Sequence, residues 1–187
     1  MTKILAFAGS ARQQSFNHRL VKIAASGAER AGAQVKVIDL GDYPMPLFNQ
    51  DLEAESGIPQ NALAFKQLLK DHDGFLIASP EYNSAFSPLL KNAIDWASRS
   101  ETDDEPPLIA YKGKTAVIMS ASPGGLGGLR GLVFVRILLA NLGMIVLPNQ
   151  VAVGNANEAF DDKGLLIDEK RQQAVTALGS ALVNAIA

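Results

Sequence analysis

Short apolar runs bounded by glycine, proline or polar clusters alternate along this chain with stretches whose apolar positions recur every three or four residues. Ile4-Leu5-Ala6-Phe7-Ala8 predicts a buried strand, and Leu20, Ile23, Ala24, Gly27 and Ala31 share one face of the helix that follows. Gly32 ends that helix, and Gln34 to Leu40 alternates and then turns apolar, as a second strand does. Gly74 to Ser79, Thr115 to Ser120 and Met144 to Leu147 predict three more strands. The intervening helices are residues 60–71 with Leu63, the Lys66 stem, Leu68 and Leu69 inward, and a helix opened by Ser87-Pro88 that buries Leu89, Leu90, Ala93, Ile94 and Ala97. A further helix carries Leu129, Val133, Arg136, Ile137 and Ala140, and an alanine-rich closing helix over 165–186 turns Leu178 and Leu182 inward. Pro44, Pro46, Asn49, Gly57 and Pro59 keep 41–59 irregular, and a segment that long inside a compact domain serves function or covers something.

Five apolar strands alternating with helices predict an α/β fold: one domain over 1–187 with a doubly wound five-stranded parallel sheet, order 2-1-3-4-5, and helices on both faces. Such sheets bind ligands beyond the carboxyl ends of their strands where the winding reverses, here between the first and third strands with the fourth beside them. The three unusual loops of the chain follow those three strands.

Gly9-Ser10-Ala11-Arg12-Gln13-Gln14-Ser15-Phe16-Asn17 joins the first strand to its helix. Backbone N–H groups at a helix N-terminus attract an anion, Ser10, Ser15 and Asn17 add neutral donors, and Arg12 adds a charged planar fork. The loop lacks both the G-x-G-x-x-G of dinucleotide folds and the G-x-x-x-x-G-K-[ST] of nucleoside triphosphate sites, so a terminal monophosphate suits it best. After the third strand, Pro80-Glu81-Tyr82-Asn83 offers main-chain groups and an aromatic face to a flat heterocycle. Ser122-Pro123-Gly124-Gly125 follows the fourth strand, either as a tight turn alone or as the other side of a ring site.

Composition narrows the chemistry further. A net charge of −2 leaves no electrostatic footprint for nucleic acid, and no apolar stretch approaches the span of a bilayer, so a cytoplasmic protein with small-molecule partners or copies of itself is expected. With no cysteine there is no thiolate, disulfide or iron–sulfur chemistry. Only His18 and His72 are present, both expected on the surface, and neither sits at ligand spacing, so no metal site is expected.

Three ordered motifs together resemble the NADPH-dependent FMN reductase family, which includes bacterial quinone and chromate reductases and related azoreductases. They are G-S-x-R-x-x-S-x-N near the N-terminus, P-E-Y-N followed by L-K-N-A-I-D-W (Leu90 to Trp96), and S-P-G-x-x-G-G-x-R (Ser122 to Arg130), within a similarity spanning residues 3 to about 147. The resemblance implies a flavodoxin-like fold, bound FMN and a homodimer or homotetramer with flavin sites at subunit interfaces. It implies that Ser10, Arg12, Ser15, Phe16 and Asn17 hold the FMN phosphate, that Pro80, Glu81, Tyr82 and Asn83 contact the isoalloxazine ring, and that Ser122 with Gly124 closes its other side. It also implies that Arg130 and Glu81 join an intersubunit network. The chain departs from many members at Ser87-Pro88, where they have Pro-Gly, and at Val133, where quinone-reducing members often carry tyrosine.

The activity implied is an FMN-dependent oxidoreductase in which NADPH or NADH delivers hydride and a quinone-like acceptor collects the electrons. No side chain is then required as acid or nucleophile. The alternative is a non-enzymatic flavin-binding electron carrier or redox-responsive module. Trp96 is expected to pack, with a subunit contact as one place for it, and the acidic run Glu101 to Glu105 to be a solvated loop or a partial lid near the nicotinamide.

Overall fold

The computed structural model describes residues 1–186. Its five parallel strands are β1 (Lys3–Ala8), β2 (Gln34–Asp39), β3 (Gly74–Ala78), β4 (Thr115–Ala121) and β5 (Ile145–Val153), hydrogen-bonded in the order β2-β1-β3-β4-β5. β1, β3 and β4 are buried along nearly their whole length because helices cover both faces, so their sequences run apolar where a half-exposed strand would alternate. Alternate residues nonetheless divide between two cores. Ile4, Ala6, Ala8, Leu76, Ala78, Val117 and Met119 pack under α1 (Phe16–Arg30) and α7 (Glu169–Ile186). Leu5, Phe7, Phe75, Ile77 and Ile118 pack under α3 (Gln60–Asp71), α4 (Pro88–Ala97) and α5 (Leu129–Asn141), with Phe7 edge-on to Phe65 at 5.5 Å.

α1 and α7 approach so closely that a Cβ on Gly27 would lie 1.9 Å from the carbonyl oxygen of Thr176. Only glycine fits there. Ser180 closes the crossing by donating to Gly27 O at 3.1 Å.

Several expectations are corrected. The segment 41–59 contains a short helix, α2 (Gln50–Ser56), and covers Trp96, whose indole N–H donates to Pro46 O at 2.8 Å while Phe48 packs on its ring edge-on at 5.0 Å. Trp96 is therefore fully buried within one chain rather than at a subunit contact. On α3 the buried residues are Ala62, Phe65, Lys66 and Leu69, with Leu63 and Leu68 only partly covered. The whole Lys66 side chain is buried, its ammonium meeting Glu105, Glu101 and the Arg99 carbonyl. Because α4 runs from the carboxyl edge of the sheet to its amino edge, the acidic run lies at the end away from the predicted ligand loops. Glu101 to Asp104 are exposed there, as a solvated loop requires and away from any place a lid would cover, whereas Glu105 is 9% exposed and clasped by Lys66 and Lys70.

β5 extends to Val153 instead of ending at Leu147. Its register against β4 shifts between Ala116 and Ile118, and Pro148, which lacks an N–H, falls in the skipped stretch. Arg136 fills the irregularity by donating to the carbonyls of Val146 and Leu147 at 3.0 and 2.8 Å. His72 is buried, with Nδ1 2.7 Å from Leu68 O, and His18 is mostly covered beside Asp39. The closing helix begins at Glu169, preceded by the one-turn α6 (Ala156–Ala159) and a bridge between Phe160 and Leu166. Among the described residues, no helix is long and apolar enough to cross a membrane.

Candidate functional site

The carboxyl ends of β1, β3 and β4 are stitched together before any loop leaves them. Gly9 N–H donates to Ala78 O and Ser79 N–H to Met119 O, both at 2.9 Å. The Ser87 hydroxyl donates to Gly9 O at 2.5 Å while its oxygen caps α4 by accepting from Leu90 N–H at 3.2 Å. The rim is thus rigid on both sides of the winding reversal.

From that rim the first loop turns back on itself, with Ser15 N–H donating to Arg12 O at 3.0 Å and the Ser10 hydroxyl accepting from Arg12 N–H at 3.3 Å. Ser15 is the N-cap of α1, its extended backbone letting Oγ accept from His18 N–H. The first-turn N–H groups of Phe16 and Asn17 have no intrahelical acceptor and add to the positive end of the dipole. The Arg12 side chain is exposed, its guanidinium 4.9 Å above the centre of the Phe16 ring. Asn17 is oriented otherwise. Its amide donates to Ala121 O at 2.9 Å and accepts from Ala121 N–H at 3.0 Å, bracing the helix start against the end of β4.

The loop after β3 is a two-residue hairpin turn. Tyr82 and Ala85 exchange backbone hydrogen bonds of 2.9 and 3.0 Å, and Asn83 and Ser84 both take left-handed conformations, φ 50° and 70°. That pair of angles is the turn compatible with strand twist, usually supplied by glycine. Glu81 points its carboxylate away from the hairpin, accepting from Arg130 at 2.8 Å and from Gly131 N–H at 2.9 Å. Burial opposes ionisation of Glu81, but the Gly131 N–H and the Arg130 guanidinium outweigh it and hold the carboxyl below its ordinary value of 4.5. The two residues pair within one chain, and the Arg130 side chain stays 60% exposed beyond the pair.

The third loop is fixed from beneath. Ser120, fully buried, donates to Gly127 O at 2.6 Å, and Gly127 sits at φ 63° with a Cβ position 2.5 Å from the backbone of Val153. The glycines therefore serve a close approach to β5 as well as the turn. Ser122 N–H donates to Val153 O, and Gly124 N–H reaches the Ser122 hydroxyl at 3.4 Å.

The three loops enclose a cleft of ≈ 300 Å³ walled by Ser10, Arg12, Ser15, Phe16, Pro80, Glu81, Tyr82 and Ser122, together with Ala121 and Pro123. Asn17 stands behind the wall and Asn83 and Gly124 outside it. Pro123 joins the wall beside Ser122, and the Gly131 N–H contact to Glu81, between positions 50 apart in sequence, is an addition that residue types in the loops did not reveal. One end of the cleft presents hydroxyls, free helix N–H groups and a guanidinium, with the one nearby carboxylate turned away and satisfied. The other presents Pro80, Tyr82 and Pro123. Such a donor set fits a phosphate monoester joined to a flat apolar ring.

Residues 2–158 match the family described as NADPH-dependent FMN reductase. The chain belongs to that family. An NAD(P)H-dependent FMN reductase of Pseudomonas aeruginosa is 34% identical over 174 residues, covering 92% of this chain and 89% of that protein. An NADPH:quinone oxidoreductase of Arabidopsis thaliana is 36% identical, covering 90% of this chain and 84% of its own length. Among solved structures, FerB of Paracoccus denitrificans, a flavoenzyme NAD(P)H:(acceptor) oxidoreductase, superposes with a TM-score of 0.82 at 28% identity, covering 100% of this chain and 97% of FerB. The cofactor of an FMN reductase is FMN, and the donors collected at the start of α1 fit its phosphate.

Proposed function

We propose that this chain, acting as one domain over 1–187, is an FMN-dependent NAD(P)H oxidoreductase that passes electrons from NADPH or NADH to a small acceptor of the quinone class. Family membership supports the reaction type, and the names of the P. aeruginosa and A. thaliana relatives support the donor and the acceptor class. The observation that carries the site is the capped N-terminus of α1 with Arg12 beside it, facing a cleft shared by two further loops.

In this reading Ser10, Arg12, Ser15 and the N–H groups of Phe16 and Asn17 bind the phosphate, while Asn17's amide keeps that helix start in register with β4. Pro80, Tyr82 and the backbone of Glu81 and Asn83 flank one side of the ring, and Ser122 with Gly124 the other. When bound at these residues, FMN would supply the hydride chemistry that links the nicotinamide to the acceptor. The chain orients the reactants, excludes water and supplies N–H dipoles; no side chain serves as nucleophile or general acid.

A second copy completes the site. The cleft is small for a flavin, and Tyr82 is 56% exposed at its mouth. Beside it α5 presents Leu129, Val133, Phe134 and Ile137 to solvent, each about half exposed, on the helix whose N-terminus holds Glu81. A contiguous apolar face of that kind marks an interface. A homodimer covering it, or a homotetramer of such dimers, is the assembly proposed, in the cytoplasm with no nucleic-acid or membrane partner.

The test is an anaerobic absorption spectrum of the purified protein with FMN, before and after each pyridine nucleotide, followed by titration of Arg12→Ala. Flavin bands should bleach with a reduced nicotinamide, and losing a charge-assisted contact should weaken FMN roughly 10- to 100-fold. Unchanged FMN affinity in Arg12→Ala would overturn the phosphate assignment.

A further inference from the structure

Arg12 is an exposed side chain with many rotamers, yet its guanidinium lies over a ring that is itself held. Phe16 stacks on Phe160, centroids 5.9 Å apart and planes within 6°, and Arg19 lies 5.9 Å over the far member of the pair. Four side chains therefore form one ladder, Arg12, Phe16, Phe160 and Arg19, running from the mouth of the cleft into the core beneath α1.

Phe160 is the fixed member. It is 9% exposed within the core shared by α1 and α7, and its backbone pairs with Leu166 across a tight turn. That turn is tied by Asp161, which accepts at one carboxylate oxygen from the N–H groups of Lys163 and Leu165 at 2.9 and 2.8 Å. Phe16 is only partly buried and lines the cleft, so without the ring behind it a single helix position would have to hold both itself and the arginine.

We infer that Phe160 is a positioning residue for the phosphate end of the site: it fixes the Phe16 ring, and through it presents the Arg12 guanidinium already oriented to a phosphate monoester. The inference rests on the assignment of Arg12 to the FMN phosphate. It adds to the site a residue that touches no ligand and lies beyond the stretch matched by the family, which ends at residue 158. A guanidinium loses side-chain freedom when it grips a phosphate, and a cation–π contact made beforehand removes part of that loss.

The experiment titrates the full chain, stripped of flavin, with FMN and separately with riboflavin, following flavin fluorescence, for wild type, Phe160→Leu, Arg12→Ala and the double variant. Leucine keeps the site apolar while removing the plane, and a thermal melt of the flavin-free protein verifies folding. Phe160→Leu should weaken FMN roughly three- to tenfold, the size of a partly exposed cation–π and stacking contact, and leave riboflavin binding unchanged. In the Arg12→Ala background it should have no further effect. Equal weakening of FMN and riboflavin, full additivity with Arg12→Ala, or no loss in Phe160→Leu while Arg12→Ala does lose affinity would each overturn the inference alone. No loss in Arg12→Ala would overturn the phosphate assignment and this inference with it.

Discussion

Asn17→Ala separates two roles that an asparagine in a phosphate loop can play. Its side chain is 3% exposed and makes two hydrogen bonds, 2.9 and 3.0 Å, to the backbone of one residue, Ala121. Truncation removes both bonds and leaves the N–H and C=O of Ala121 buried without those partners. Each orphaned group costs ~1–3 kcal/mol. Allowing for relaxation and an entering water, the loss should be about 3 kcal/mol, which for a domain of this size corresponds to a fall in Tm of roughly 6–12 °C.

The decisive sample is the flavin-free protein, because a residue whose only task is to touch phosphate would leave its melting point unchanged. Asn17→Asp sharpens the result. The introduced carboxylate can still accept from Ala121 N–H but sets a second negative oxygen against Ala121 O, so the folded state favours the protonated form and raises that carboxyl's pKa above its unfolded value. Destabilisation should then be largest at neutral pH and shrink as pH falls through the raised value, opposite to an ordinary ion-paired carboxylate. Thermal melts of the flavin-free variants from pH 4.5 to 8 test this. An Asn17→Ala midpoint within about 2 °C of wild type, or an Asn17→Asp deficit that does not vary with pH, would refute the bracing argument.

Three further outcomes are expected. Ser84→Gly should raise Tm by roughly 1–4 °C in differential scanning calorimetry, since the left-handed backbone at φ 70° costs a side-chain-bearing residue ~1–2 kcal/mol, part of which is offset by glycine's greater unfolded-state entropy. Ile137→Glu, on the exposed face of α5, should shift the protein toward monomer in size-exclusion chromatography with light scattering while keeping its far-UV circular dichroism; an unchanged elution profile would remove α5 from the interface. The Glu81 carboxyl titrates below 4.5 when folded, so its stabilisation is complete above that value and is lost as pH falls through the lower folded one. Glu81→Gln should flatten that part of the acid limb of a stability-versus-pH curve and leave the neutral region parallel to wild type.

The sheet order and the three site loops were legible because they rest on local signals. Apolar runs marked β1, β3 and β4, Ser15 and Ser87 marked helix starts, and right-handed crossovers carried the loops after those strands to one edge. Features built on long-range pairing were not legible. Lys66 appeared as an apolar stem, whereas its ammonium is buried against Glu105, 39 positions away. There, too, burial opposes ionisation, but Lys66, the Glu101 N–H and Lys70 hold the Glu105 carboxyl below its ordinary value. Periodicity records where a side chain points, and no pattern within α3 encodes which carboxylate will meet it.

α5 shows how a correct helix can carry the wrong face. Leu129, Val133 and Ile137 recur at helical spacing and satisfy every local criterion for a buried stripe, yet they face solvent, and Gly131, Leu132, Val135 and Leu139 pack on the sheet. The helix is apolar nearly all round, so its own sequence admits either orientation. The choice is made by Gly131, whose N–H donates to the Glu81 carboxylate and whose Cβ position lies 3.1 Å from Ala85 O. A Cβ there would crowd Ala85 O and the Glu81 side chain, so glycine eases the close approach of the helix start to the hairpin, with Leu132 and Val135 toward the sheet. The face left outside is one that a lone soluble helix would not keep apolar. The contact that orients α5 against the Pro80–Asn83 loop therefore also turns an apolar stripe outward beside the cleft, which ties the cleft and the proposed interface to the same helix.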